Sequence, residues 1–130
     1  MNVKSSDLFI KCLENEGIEY IFGVPGEENA DFLMSLHQST KIKFILTRHE
    51  QGAAFMAESY GKLTGKLSCC LSTLGPGATN LLTGVADANM DHSPVLVITG
   101  QGSSDRLHKE SHQVMDVCNM FESVTKWTTS

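Results

Sequence analysis

The sequence predicts one α/β domain built on an open parallel sheet with helices on both faces, and three observations carry that prediction. Two short runs, 67–73 (LSCCLST) and 94–99 (PVLVIT), are apolar without alternation, as central strands buried on both sides are. The segments between apolar runs show helical spacing and helix-ending glycines, so strand and helix alternate along the chain. The length of 130 residues, 41% of them hydrophobic and 19% charged, suits a single soluble globular domain with its own core.

Taken in order, a first helix starts at Ser5-Ser6-Asp7 and carries an apolar stripe of Leu8, Phe9, Cys12 and Leu13, with Gly17 as its stop. A strand over 19–24 runs into a Pro25-Gly26 turn. Phe32, Leu33 and Leu36 mark a second helix, and 42–47 (IKFILT) a second strand. Residues 50–64 form a helix rich in Ala and Gly, closed by Gly65. After the strand at 67–73, a helix runs from about 78 to 90 and the strand at 94–99 follows. A short helix near Gln113 and a last strand near Val124 complete the prediction. Strand–helix–strand alternation implies right-handed crossovers and a parallel sheet. The final residues, SVTKWTTS, bring no closing helix, so residues 1–130 are expected to be one domain of a longer subunit.

Composition narrows the function classes. A net charge of −5 argues against a nucleic-acid partner, because phosphate contacts need clustered Lys and Arg. No apolar run approaches the roughly 20 residues that span a bilayer, and the start MNVKSSDLF lacks a secretory signal's basic and apolar stretches. The four cysteines have no metal-ligand spacing. Cys69 and Cys70 are adjacent in a strand, so they point to opposite faces and read as reduced core residues of a cytosolic protein.

A doubly covered parallel sheet binds ligands beyond the carboxyl ends of its strands. The loops there are 23–29 (GVPGEEN), 47–52 (TRHEQG), 72–80 (STLGPGATN) and 99–105 (TGQGSSD). Three have paired or Pro-linked glycines and the other has His49-Glu50, whereas the opposite loops, such as LTGKLS and NMDHSP, are plainer. The run Gly75-Pro76-Gly77-Ala78-Thr79-Asn80 opens a helix where glycine lets backbone approach a ligand. It is not the dinucleotide fingerprint, which follows the first strand and has glycine where Asn80 stands. Glu50, directly after an apolar strand, heads a helix whose Gly52, Ala53, Ala54 and Ala57 can pack close to other backbone. His108 and His112 are spaced to share a helix face as metal ligands, but no third ligand accompanies them and no metal site is predicted.

Four stretches together resemble the amino-terminal, pyrimidine-binding domain of acetolactate synthases and related thiamine-diphosphate enzymes. They are Phe22-Gly23-Val24-Pro25-Gly26, Arg48-His49-Glu50-Gln51-Gly52-Ala53, Gly75-Pro76-Gly77-Ala78-Thr79-Asn80, and Ala86-Asp87-Ala88-Asn89-Met90-Asp91 followed by Pro94 and Ile98-Thr99-Gly100-Gln101. Order and spacing agree over nearly the whole chain.

The resemblance implies a role for each part. The family's glutamate at the position of Glu50 hydrogen-bonds a ring nitrogen of the cofactor's aminopyrimidine and favours the imino tautomer. That tautomer takes the proton from the thiazolium carbon, and the resulting ylide attacks a 2-keto acid, with loss of carbon dioxide. A carboxyl group suits the task because a dry pocket favours its protonated form, so it can share a proton. By the same likeness Pro25, Gly26, Thr73, Pro76, Gly77 and Asn80 line the pyrimidine pocket. The diphosphate, its Mg²⁺ and any FAD would be held by other domains of a three-domain subunit, and the isolated domain would be inactive. The implied activity is condensation of pyruvate to acetolactate in a homodimer or higher oligomer, with Gln113 contacting substrate. Glu27 and His112 depart from the synthase pattern towards that of the 2-keto acid decarboxylases, so both are candidate substrate contacts. Decarboxylation without ligation, or a free-standing binding module, are the alternatives.

Overall fold

A computed structural model describes residues 3–107 and 109–130. Its sheet has four strands, β1 (Tyr20–Gly23), β2 (Lys43–Leu46), β3 (Ser68–Ser72) and β4 (Val95–Thr99), in the order β2-β1-β3-β4. Every pairing is parallel, with Ile21 opposite Phe44 and Cys69, and Cys69 opposite Leu96. Helices α1 (Ser5–Asn15) and α2 (Ala30–His37) cover one face; α3 (Glu50–Thr64), α4 (Pro76–Met90) and α5 (Val117–Glu122) cover the other. The predicted open parallel α/β sheet is the observed fold.

The core divides at β3. Cys69 packs with Ile10, Leu13, Ile21, Phe32 and Leu36, whereas Cys70 packs with Ala53, Ala54, Ala57, Leu81 and Val85. The adjacent thiols thus lie on opposite faces, as the pleat requires. The small residues of α3 let α4 come close: a Cβ on Gly84 would stand 2.6 Å from that of Ala54. Gly65 ends α3 in the left-handed region at φ 68°, its amide donating to the carbonyl of Gly61. At the far ends of α3 and α4, the buried Glu58 meets Lys62 at 3.5 Å, and Lys62 also pairs with Asp91.

Four expectations need correction. In α1 the buried residues are Ile10 and Leu13, while Leu8, Phe9 and Cys12 are exposed. The polar start meets α2 instead: the Ser35 hydroxyl lies 2.8 Å from the Ser6 hydroxyl and 2.6 Å from the Asp7 carboxylate, contacts made with the helix turned so that Ile10 faces the core. Among the described residues, strand β4 is an edge rather than central, paired with β3 alone and half-buried along its length. Its apolar run reports contact with α4 and β3, which does not specify a place in the strand order. Gln113 lies in a turn and the short helix begins at Val117, where the Asp116 side chain caps the Asn119 amide. Val124 is in no strand; its amide instead closes the turn after α5 by bonding to Phe121.

Burial makes the cysteines a test of the fold. It pushes the Cys70 thiol up to about 12 and that of Cys69 well above its ordinary value of 9.0. Between pH 9 and 12 the unfolded chain loses the Cys70 proton while the folded one keeps it. The contribution present below pH 9 is therefore lost as pH rises, by about 1.4 kcal/mol per unit. Urea midpoints should fall across that window, and a Cys70→Ala variant, less stable at pH 7, should show a shallower slope. A thiol reagent at pH 8 should label exposed Cys12 in the native protein and reach Cys69 and Cys70 only after unfolding. Equal labelling rates for all three would contradict the two-faced core.

Candidate functional site

The carboxyl ends of the strands bring four loops together at one rim. After β1, the Gly26 amide donates to the side-chain oxygen of Asn29, 2.9 Å away, closing a 3-10 turn over Glu27–Asn29. The turn lays Gly26 against the end of β3 so closely that a Cβ there would sit 2.3 Å from that of Thr73. After β3, Gly75 takes φ 57°, a conformation that favours glycine, and Pro76 starts α4 with its ring at the first helical position. After β4, Gly100 lies against Thr73, Leu74 and Glu28. Gly26, Glu50, Gly77 and Gly100 are therefore at one edge of the sheet, as the strand–loop reading requires.

Glu50 is the first residue of α3. His49 caps that helix, its ring nitrogen accepting from the Gln51 amide at 3.1 Å. The Asn80 side chain, one turn into α4, donates to Glu50 Oε2 at 2.9 Å. This neutral donor fixes the carboxylate's direction and leaves Oε1 facing Gly77. A Cβ on Gly77 would stand 3.4 Å from Oε1 and 3.0 Å from the Thr73 methyl. Buried Gly77 thus lets the start of α4 pack closely against Thr73 and the Glu50 carboxylate. Among the described residues, no side chain hydrogen-bonds Glu50 Oε1, which can therefore accept a hydrogen bond from a ligand. Glu50 and Thr73 are half-buried, so the rim is an open wall rather than an enclosed pocket.

The remaining candidates divide. Pro76 is exposed at the rim, its carbonyl accepting from the Thr79 hydroxyl. Pro25 faces away, lining a groove with Leu33, Leu36, His37, Ile42 and Phe44 at the β2 edge. Gln113 is brought to the glycine loop: a Cβ on Gly75 would meet its carbonyl at 2.6 Å. It has φ 55°, which non-glycine residues rarely adopt. His112 is exposed beside it in the same turn. His108 lies outside the described residues, so the His108–His112 spacing has no structural counterpart. Glu27 is exposed, and among the described residues no hydrogen bond to its side chain is formed.

Its neighbour Glu28 was not singled out from sequence, yet it accepts a hydrogen bond from the Thr73 hydroxyl at 2.7 Å. Two adjacent acids at a helix start look alike in sequence; the 3-10 turn decides which one faces the rim.

Among the described residues, no helix is long and apolar enough to cross a membrane. Residues 3–120 match the family described as "Thiamine pyrophosphate enzyme, N-terminal TPP binding domain". The chain is 42% identical over 124 residues to a probable acetolactate synthase large subunit of Methanocaldococcus jannaschii, covering 95% of this chain and 21% of that protein. It is 38% identical over 123 residues to the chloroplastic acetolactate synthase of Arabidopsis thaliana, covering 95% and 18%. Against the acetolactate synthase large subunit of Corynebacterium glutamicum it is 41% identical over 117 residues, covering 90% and 19%. The chain thus spans about a fifth of the length of these relatives. With its rim of Glu50, Asn80 and the glycine loops in a four-stranded parallel sheet, the chain belongs to the thiamine pyrophosphate (thiamine diphosphate) enzyme family, as its N-terminal cofactor-binding domain.

Proposed function

We propose that this domain holds the aminopyrimidine half of thiamine diphosphate against Glu50, within a three-domain subunit that condenses pyruvate to acetolactate. The observation that carries the reading is the Glu50–Asn80 pair, which leaves the other carboxylate oxygen, beside Gly77, without a hydrogen bond among the described residues. When bound, the cofactor supplies a carbanion equivalent and an electron sink for 2-keto acid chemistry. Asn80 orients the carboxylate, Gly77 lets the start of α4 pack close to it, and Glu50 shares and recovers a proton at the ring nitrogen. Gly26 and Thr73 wall the far side, and Pro76 flanks the ring at the start of α4; Pro25, on the groove side, shapes the turn behind it. Gln113, seated against Gly75, contacts the 2-keto acid.

The names of the relatives, all acetolactate synthases, favour ligation over simple decarboxylation. Glu27 and His112, the two positions that lean towards decarboxylation, are both exposed. Diphosphate, Mg²⁺ and any FAD belong to other domains, so this domain alone turns over no substrate. We place the enzyme in the cytoplasm, where the free thiols Cys69 and Cys70 stay reduced.

Assembly follows from the surface. Leu81 is consumed in the core and Leu82 is half-buried, but Met56 on α3 and Met90 on α4 remain exposed. Apolar surface of this kind marks interfaces, and a homodimer through α3 and α4 would cover it. Light scattering of the full-length subunit should give a dimer or higher oligomer, and Met56→Glu with Met90→Glu should weaken it. A freely soluble wild-type monomer at high concentration would refute this assembly.

Glu50→Gln in the full-length subunit tests the central assignment. Volume and hydrogen bonding to Asn80 are nearly kept, so the melting temperature should barely move. Hydrogen–deuterium exchange at the thiazolium carbon of bound cofactor, followed by NMR, should slow by at least about a hundredfold. Cofactor affinity should fall less than turnover, because the contact matters most as charge develops. Exchange at the wild-type rate would reduce Glu50 to a helix-start acid. A product assay with pyruvate, in which acetaldehyde rather than acetolactate accumulated, would overturn the ligase reading alone.

A further inference from the structure

Gln101 stands in the loop just beyond β4, and both polar atoms of its side chain are hydrogen-bonded. The amide nitrogen donates to the Met115 carbonyl at 2.9 Å, and the amide oxygen accepts from the Gly102 backbone at 2.9 Å. A carboxamide suits both tasks, because one planar group carries a donor and an acceptor. The Gly102 bond fixes the amide within its own loop. The Met115 bond reaches fourteen residues along the chain, to the turn that carries His112 and Gln113.

That turn rests on the rim through consecutive residues. Gln113 lies against Gly75, where an added Cβ would stand 2.8 Å from the Gln113 Cβ. Val114 lies against Gly102, where an added Cβ would stand 2.8 Å from a Val114 methyl. Met115 takes the Gln101 bond, and among the described residues no other hydrogen bond joins residues 111–115 to another loop of the rim. Gln113 has φ 55°, a conformation that a residue with a side chain keeps only where its surroundings over-determine it. The packing contacts set how closely the turn sits but are not directional. The Gln101 bond is, and it fixes the turn's register on the rim.

We infer that Gln101 is a positioning residue that acts through Gln113: its bond to the Met115 carbonyl holds the turn in the register that seats Gln113 on Gly75 for contact with a 2-keto acid. That role rests on the reading of Gln113 as a substrate contact, and it gives the Gly100-Gln101 stretch a task separate from cofactor binding. Without the bond Gln113 keeps its side chain, but the turn is free to leave its disfavoured conformation and substrate contact weakens. Glu50 and Asn80 stand on α3 and α4 and do not depend on that bond.

The test uses the full-length subunit with its cofactors. Gln101→Glu keeps the length of the side chain and an acceptor for the Gly102 amide, but an ionised carboxylate cannot donate to the Met115 carbonyl. Pyruvate KM should rise about five- to tenfold, the order that one hydrogen bond contributes. Thiamine diphosphate affinity and hydrogen–deuterium exchange at the thiazolium carbon should stay at their wild-type values. Backbone amide exchange, followed by mass spectrometry, should quicken across residues 111–117 but not along α3 or α4. Gln101→Ala should give the same pattern, which shows that the added charge is not its cause. In a Gln113→Ala background, itself raised in KM, Gln101→Glu should raise KM no further, since both changes remove one contact. Wild-type KM in both Gln101 variants, or an equal rise in the Gln113→Ala background, would overturn the role of Gln101 and leave Gln113 as a substrate contact. Wild-type KM in Gln113→Ala alone would overturn that earlier reading and the role of Gln101 with it. A loss of cofactor affinity as large as the rise in KM would mean that the whole rim had moved, and would overturn the specific role as well.

Discussion

Burial of β3 on both faces is the constraint on which the rest depends. All five of its residues are buried, and it is hydrogen-bonded to β1 on one side and β4 on the other. A strand so placed has no solvent to satisfy its backbone, so its partners and their register are obligatory. It also has two cores to fill, and alternation sends Cys69 into one and Cys70 into the other. Even Ser68, fully buried at its start, donates to the Ala57 carbonyl of α3, tying the strand to the helix that begins with Glu50.

The site inherits its accuracy from that strand. Thr73 follows directly on β3, and the glycine loop leads straight into α4. Close packing of α3 on α4, through Ala54 and Gly84, sets the separation of their first turns. That separation lets Asn80 reach Glu50 across 2.9 Å. The catalytic geometry proposed here is thus a consequence of small residues packed well below the rim. Side chains on rigid elements hold such distances better than side chains on loops.

Opposite ends of the same helices serve opposite purposes. At the rim, half-buried Glu50 has one oxygen held by Asn80 and the other without a hydrogen bond among the described residues. At the far end, the carboxylate of Glu58 is buried against Lys62, which also pairs with Asp91. One carboxylate is half-exposed at the rim and the other is buried beside a shared lysine, although both lie on α3 two turns apart.

The sequence by itself determined the fold class, all four strands, four of the five helices and the rim. Those features rest on local signals: unbroken apolar runs, the Gly65 stop, glycines after strands, and an acid heading a helix of small residues. It also carried Glu50, Gly77 and Asn80 as neighbours, through motifs whose spacing is that of the family. Tertiary structure decided what local signals cannot carry. Strand order placed β4 at the edge among the described residues, because an apolar run records burial and not which strands flank it. Ser35 meets an α1 turned so that Ile10 faces the core in place of Leu8. The segment around Gln113 became a turn pressed on Gly75, since its conformation comes from a contact nearly forty residues away rather than from its own periodicity. The choice of Glu28 over Glu27 belongs here too. Adjacent side chains diverge by the geometry of one short turn, and that geometry is fixed by Asn29 and Gly26 only once β1 and β3 are paired.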